Sequence, residues 1–220
     1  MSLSAEVHSS QTGPHENLEA LVRRYAGSET RKPIAEHTGK AFAWLAEQLE
    51  PGRELIFDSG CGTGESTRQL ACRYPQAQVV GIDQSSHRLA RGGWRHPGTV
   101  RDNRLLLRAE LGDLWRLASQ AGWRLRAHYL LYPNPWPKPG QLQRRWHAHP
   151  AFPSLLALGG ELVLRTNWDI YAREFALALE WSLGLTVPVT PIRPESPMTP
   201  FERKYQASGH GLFEVRCLLA

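Results

Sequence analysis

The sequence predicts an α/β fold: a doubly wound, mostly parallel sheet with an antiparallel last strand and an N-terminal helical extension. Three observations predict it. Residues 54–57, Glu-Leu-Ile-Phe, read as a short buried strand that ends at Asp58, and Gly60-Cys61-Gly62-Thr63-Gly64 then turn the chain into a stretch with helical spacing. Residues 77–82 repeat the strand and end in Asp83, 25 positions after Asp58. Strands and helical segments go on alternating to the C-terminus, the pattern of parallel strands joined by crossover helices.

The 220 residues are 41% hydrophobic, enough to bury one core. Residues 1–14 are small and polar, with Gly13-Pro14, and are expected to be a disordered arm. Residues 15–220 are expected to form a single domain, of which 15–50 make the helical extension. No apolar run approaches the ~18 residues of a membrane span, and the N-terminus lacks the apolar core of a secretory signal. Cys61, Cys72 and Cys217 show no C-x-x-C spacing, which fits a reducing cytoplasmic setting and no metal site. A net charge of +5 is modest, so the placement of the arginines matters more than their sum.

In chain order, residues 16–25 have a short helical face, and 34–49 form a longer amphipathic helix stopped by Pro51-Gly52. Arg23, Arg24, Arg31 and Lys32 make this extension basic. Ser85 caps a helix to about residue 94. Arg88, Arg91, Arg95, Arg101, Arg104 and Arg108 follow against a single acid, Asp102, as a solvated or phosphate-facing surface. Residues 104–109 read as the third strand, leading to Glu110, Asp113 and a helix. The fourth strand, 127–132, opens into Tyr132-Pro-Asn-Pro-Trp-Pro-Lys138, where three prolines fix the backbone. Gln143-Arg-Arg-Trp-His-Ala-His149 leads into a helix expected to reach about residue 157. The fifth strand, 161–165, delivers Thr166-Asn167-Trp168-Asp169, and residues 171–183 are helical. Pro197 to Arg203, Gly209-His210-Gly211 and a last strand at 212–218 complete the chain.

The glycine turn is G-x-G-x-G, not the G-x-G-x-x-G of a dinucleotide site. Glycine lets the backbone approach a ligand closely. A carboxylate before the turn, Asp58, suits a ligand with an ammonium group, and one at the end of the next strand, Asp83, suits a ribose diol. A rigid loop after the fourth strand lies where open α/β sheets bind ligands. Trp136 and Trp168 are candidates to stack on a base.

The first two segments resemble motifs I and II of the class I (Rossmann-like) methyltransferases that use S-adenosylmethionine. From Asp58 onward the chain resembles the bacterial tRNA (guanine-N7-)-methyltransferase family. The resemblance is carried by Pro133, Pro135, Trp136, Lys138, Arg144 and Arg145, by Thr166-Asn167-Trp168 with Tyr171 and Ala172, by Thr199, Phe201, Glu202 and Arg203, and by Gly209-His210-Gly211. It implies S-adenosylmethionine as cofactor, with Asp58 and the backbone of Gly60, Gly62 and Gly64 at its amino-acid part, Asp83 at its ribose and Glu110 at its adenine. It implies an acceptor pocket of Asn134, Trp136, Asn167, Thr199 and Glu202, with Asn134 beside the cofactor as well, and Lys138, Arg144 and Arg145 on substrate phosphate. The implied partner is tRNA or another RNA, without membrane or metal, for a monomer or homodimer.

Two departures touch the chemistry: family aspartates are Asn134 and Asn167 here, and Gly140 and Leu142 dilute the basic run. Guanine N7 has a lone pair and no proton, so methyl transfer needs alignment rather than a base. A carboxylate nearby would stabilise the cation that forms; Asn134 offers a dipole. Asn134-Pro135-Trp136 also resembles the Asn-Pro-Pro-aromatic motif of enzymes that methylate exocyclic amines, whose N–H needs an acceptor. The alternatives are therefore a nitrogen methyltransferase on an exocyclic amine or small molecule, and a non-catalytic cofactor-binding homologue.

Overall fold

A computed structural model describes residues 4–28, 30 and 32–220. Residues 1–3 of the expected arm and Arg31 of the basic extension lie outside the described residues. The chain packs as two compact units. Unit I gathers Lys32–Leu131, Ser154–Leu162 and Leu218–Ala220; unit II gathers the N-terminal segment, Tyr132–Pro153 and Val163–Cys217. Among the described residues eight strands run in the order β3-β4-β2-β1-β5-β6-β8-β7.

Unit I holds α2 (Glu36–Gln48), β1 (Leu55–Ser59), α3 (Glu65–Arg73), β2 (Gln78–Asp83), α4 (Ser86–Arg91), β3 (Gly98–Arg101), β4 (Arg104–Arg108), α5 (Leu111–Gln120) and β5 (Ala127–Leu131). β1 lies between β2 and β5, parallel to both, and β2 is parallel to β4. Ile56, Phe57, Val79, Val80, Ile82, Leu105 and Leu107 are wholly or almost wholly buried. That burial on both faces is why these strands read as continuous apolar runs. Register decides what each face meets. Asp58, Gly81 and Leu106 are in line, and an added Cβ at Gly81 would strike Thr67 of α3. Ser59, one residue on, points the other way and takes a hydrogen bond from Trp115 Nε1 of α5 at 3.1 Å.

β3 was not foreseen. It pairs antiparallel with β4 through a two-residue turn at Asp102-Asn103, with Asp102 at φ 54°. Aspartate and asparagine tolerate that left-handed backbone. The Asn103 amide donates to the carbonyls of Ala71, Tyr74 and Ala77, at 2.9–3.1 Å, which ties the hairpin to the end of α3.

Unit II holds α1 (Leu18–Ala26), the end of β6 (Gly160–Thr166), α7 (Asp169–Leu183), β7 (Val189–Pro191), α8 (Pro200–Ala207) and most of β8 (Phe213–Leu219), antiparallel to β7. The helix expected after residue 149 and up to about 157 is α6 (Phe152–Ala157); two 3-10 turns, Pro139–Arg144 and Trp146–Ala148, precede it. Pro150 separates them from α6: it lacks an N–H and holds His149 extended, at ψ 144°. β7 and α8 were not foreseen either. Thr199 caps α8, accepting from the Glu202 N–H at 2.9 Å, and Pro200 takes the first helical position.

Residues 4–14 carry no helix or strand, but Ser4, Ser9 and Gln11 are bonded to residues far along the chain. Ser4 N–H donates to Ser208 Oγ at 2.8 Å, Ser9 Oγ to the Pro137 carbonyl at 2.5 Å, and Gln11 Nε2 to Glu174 at 2.6 Å.

Candidate active site

In unit I the glycine turn joins the ends of β1 and β2. The N–H groups of Gly60 and Cys61 both donate to the Ile82 carbonyl, and Gly62 N–H donates to Asp83 Oδ2 at 3.0 Å. Asp83 also accepts from Ser85 N–H at 2.8 Å and from Arg88 at 3.0 Å. The carboxylate expected at a ribose is thus already fixed by the loops on either side of it. Arg88 is the more accessible of these partners: its side chain is 43% exposed, while that of Asp83 is buried.

Asp58 is buried too, and its Oδ2 accepts from Ser66 and Thr67 hydroxyls at 2.7 and 2.6 Å. It therefore anchors the first turn of α3. Burial pushes its carboxyl up to about 6, against the two hydroxyl bonds, and the charge of Asp83 adds to the rise. Cys61 is held well above the thiol range by burial and by the same two carboxylates, which makes it an inert filler. Gly64, at φ 74°, opens α3. Glu110 precedes α5, and its N–H donates to Thr38 Oγ1 at 3.0 Å.

In unit II the loop after β5 is strained: Tyr132 and Trp136 sit at φ 55° and 47°, uncommon for aromatic residues. Asn134 is exposed, and its Oδ1 accepts from the Trp136 N–H at 3.3 Å. Arg144 lies over the Trp136 ring at 4.7 Å, and Lys138 is exposed at the start of the 3-10 turn. Asn167 Nδ2 meets His210 Nδ1 at 3.2 Å. Asn134, Trp136 and Arg144 are therefore neighbours.

Three expected substrate residues face inward instead. Glu202 is fully buried and accepts from Tyr132 Oη at 2.7 Å, from Arg165 at 3.0 Å and from the Met198 N–H. Thr199 is buried as the cap of α8. Arg145, expected on phosphate, is wholly buried. Its Nη1 donates to both carboxylate oxygens of Glu174, at 2.8 and 2.6 Å, and its Nε and Nη2 donate to the Trp136 carbonyl at 3.2 and 3.1 Å. A guanidinium removed from water needs a carboxylate partner, and Glu174 provides it.

Glu174 is the hub that sequence reasoning missed. It also accepts from His147 Nε2 at 2.9 Å, from Gln11 and from the His15 N–H. Burial raises its carboxyl, but the bonds from His147 and Arg145 outweigh that and hold it at about 2. Burial pulls His147 below the imidazole range despite its bond to Glu174, so a neutral ring donates through Nε2. The sequence did carry a signal: Glu174 is an acid on the apolar stripe of α7, with Ile170, Tyr171, Ala178 and Leu179. Among the described residues no cluster could hold a metal ion, and no helix is long and apolar enough to cross a membrane.

A glycine turn between two parallel strands, each ending in a carboxylate, within this strand order defines a class I methyltransferase. A family model described as "Putative methyltransferase" matches residues 52–215. A tRNA (guanine-N(7)-)-methyltransferase of Anaeromyxobacter dehalogenans is 33% identical over 192 residues, covering 80% of this chain and 91% of that protein. The chain belongs to this methyltransferase family. A protein of the same name from Treponema pallidum is 30% identical over 73% of this chain, and the match spans 65% of that relative's own length. Among solved structures, the 16S rRNA methyltransferase KamB shares the fold, with a TM-score of 0.58 and 17% identity over 86% of this chain and 95% of that one.

Proposed function

We propose that this protein transfers a methyl group from S-adenosylmethionine to guanine N7 in tRNA. The observation that carries this is the likeness to relatives of that name, sustained over nine-tenths of the Anaeromyxobacter protein. The cofactor supplies an electrophilic methyl group on a sulfonium. Gly60 and Gly62 fit it: both lie at positive φ, with open space where a Cβ would project. Asp83 takes the ribose hydroxyls by exchanging Arg88, Glu110 takes the adenine amino group, and buried Asp58 supplies negative potential behind the turn. Asn134 and Trp136 border the acceptor base, with Asn167 beyond them, and Lys138 and Arg144 meet phosphate. Thr199, Glu202 and Arg145 serve from within, by fixing α8 and the loop.

N7 offers its lone pair directly, so the chain need only align it. The exocyclic-amine alternative is not favoured, because the likeness that spans 91% of the Anaeromyxobacter protein is to a guanine-N7 enzyme. Transfer of labelled methyl to bulk tRNA, with nucleoside analysis, tests the assignment. Label in 7-methylguanosine, rising about tenfold in Asn134→Asp as a charge replaces a dipole, is the expected result. Label in an N2- or N6-methylated nucleoside, or none in tRNA, would overturn it.

Asp58 gives a pH dependence. Its carboxyl sits at about 6 in the folded protein, and a cationic ligand favours the ionised form. Binding must then expel a proton below pH 6, so affinity falls as pH drops through 6, by up to about tenfold per unit. Calorimetric titration between pH 5 and 7.5 should show this slope in the parent and a flat profile in Asp58→Asn. A parent profile that is already flat would refute it.

A further inference from the structure

Between Thr199 and Glu202 the usual order of burial is inverted. The two polar residues are buried, and Phe201 between them is 47% exposed. A phenylalanine left in water forgoes the stabilisation of burial. The ring is nonetheless held in place. Phe201 stacks on Tyr205, with centroids 6.1 Å apart and planes at 27°, and Tyr205 stacks on His210 at 5.2 Å and 16°. His210 closes the inner end through Asn167 at 3.2 Å and the Ser4 carbonyl at 3.0 Å. The result is a ladder of three rings, anchored at one end by a residue of the acceptor pocket and ending at the other in the partly solvent-exposed Phe201. Lys204, exposed and three positions on, shares the helix face of Phe201.

An exposed ring beside an ammonium group is the chemistry of nucleotide binding: a base stacks on the ring and its phosphate meets the cation. We propose that Phe201 is a stacking platform for an unpaired nucleobase of the RNA substrate, with Lys204 on the adjoining phosphate. This rests on the RNA reading above.

The test is tRNA affinity by filter binding across a salt series, for the parent, Phe201→Ala, Phe201→Trp and Lys204→Ala. Phe201→Ala should raise the dissociation constant about tenfold or more, while Phe201→Trp stays within about twofold of the parent. Lys204→Ala should lower the salt slope by about one, whereas Phe201→Ala leaves it unchanged. Cofactor affinity and melting temperature should hold in all three. If the parent binds tRNA and Phe201→Ala binds it equally well, or Phe201→Trp is as impaired as alanine, the platform is overturned alone. A parent that binds no RNA overturns both the platform and the reading beneath it.

Discussion

Replacing Glu174 with alanine should cost about 3–5 kcal/mol, because it strands a buried guanidinium, and should lower the melting temperature by roughly 10 °C. Arg145 Nη1 would lose both of its carboxylate acceptors, and His147, Gln11 and the His15 N–H would lose theirs. The loss should spread to activity, since Arg145 also holds the Trp136 carbonyl in a loop with two strained aromatic residues. Removing both charges together, as Arg145→Met with Glu174→Leu, should cost less than Glu174→Ala alone, because no unpaired charge remains. Thermal melts of the three variants decide it; a double variant less stable than the single one would contradict the account. The pH dependence has a definite sign. A carboxyl lowered from 4.5 to about 2 on folding gives its full stabilisation above 4.5 and loses it as pH falls towards 2.

Gly92→Ala should disable the cofactor turn from outside it. Gly92 follows α4 at φ −87°, a backbone any residue adopts, so the constraint is space. A Cβ there would lie 1.9 Å from the Thr63 carbonyl oxygen, inside the Gly60–Gly64 turn. Backbone must move, at a cost of about 1–3 kcal/mol, and the moved segment is the one that approaches the ligand. Affinity for S-adenosylhomocysteine should drop more than about tenfold, since roughly 1.4 kcal/mol already corresponds to that factor. Gly39→Ala is the control: it lies in α2 with open space around it, and alanine should stabilise that helix by about 0.5–1 kcal/mol. Unchanged cofactor affinity in Gly92→Ala would show that Thr63 gives way harmlessly.

These two sites differ in how far the sequence announces them. β1, β2 and the turn between them were legible because a buried parallel strand must be apolar throughout and a close turn must use glycine. Asp58 and Asp83 were legible as residues at strand ends, although their present partners, Ser66, Thr67 and Arg88, were not. Arg145 was misread because an arginine beside Arg144 looks the same in sequence whether it faces phosphate or a carboxylate 29 residues away. α8 had a readable signal, Thr199-Pro-Phe-Glu202, which has the Ser/Thr-x-x-Glu spacing of a capping box. The 3-10 turns at 139–148 were obscured by polar and aromatic residues that gave no clear period, and only the prolines marked the break.

Unit II is assembled from pieces far apart in the chain, and this sets the order of events during synthesis. Ser4 finds its partner 204 residues later, at Ser208, and Gln11 waits for Glu174, 163 residues on. Most of unit I comes from one continuous run, Lys32–Leu131, and can collapse while the ribosome is still working. The segment before Lys32 emerges ahead of unit I but settles after it, since contacts of such sequence separation form slowly. During that interval Leu18 and Val22 of α1, both buried in the finished unit, are left without their packing partners. Chaperone demand during expression is therefore expected to fall on this segment rather than on unit I.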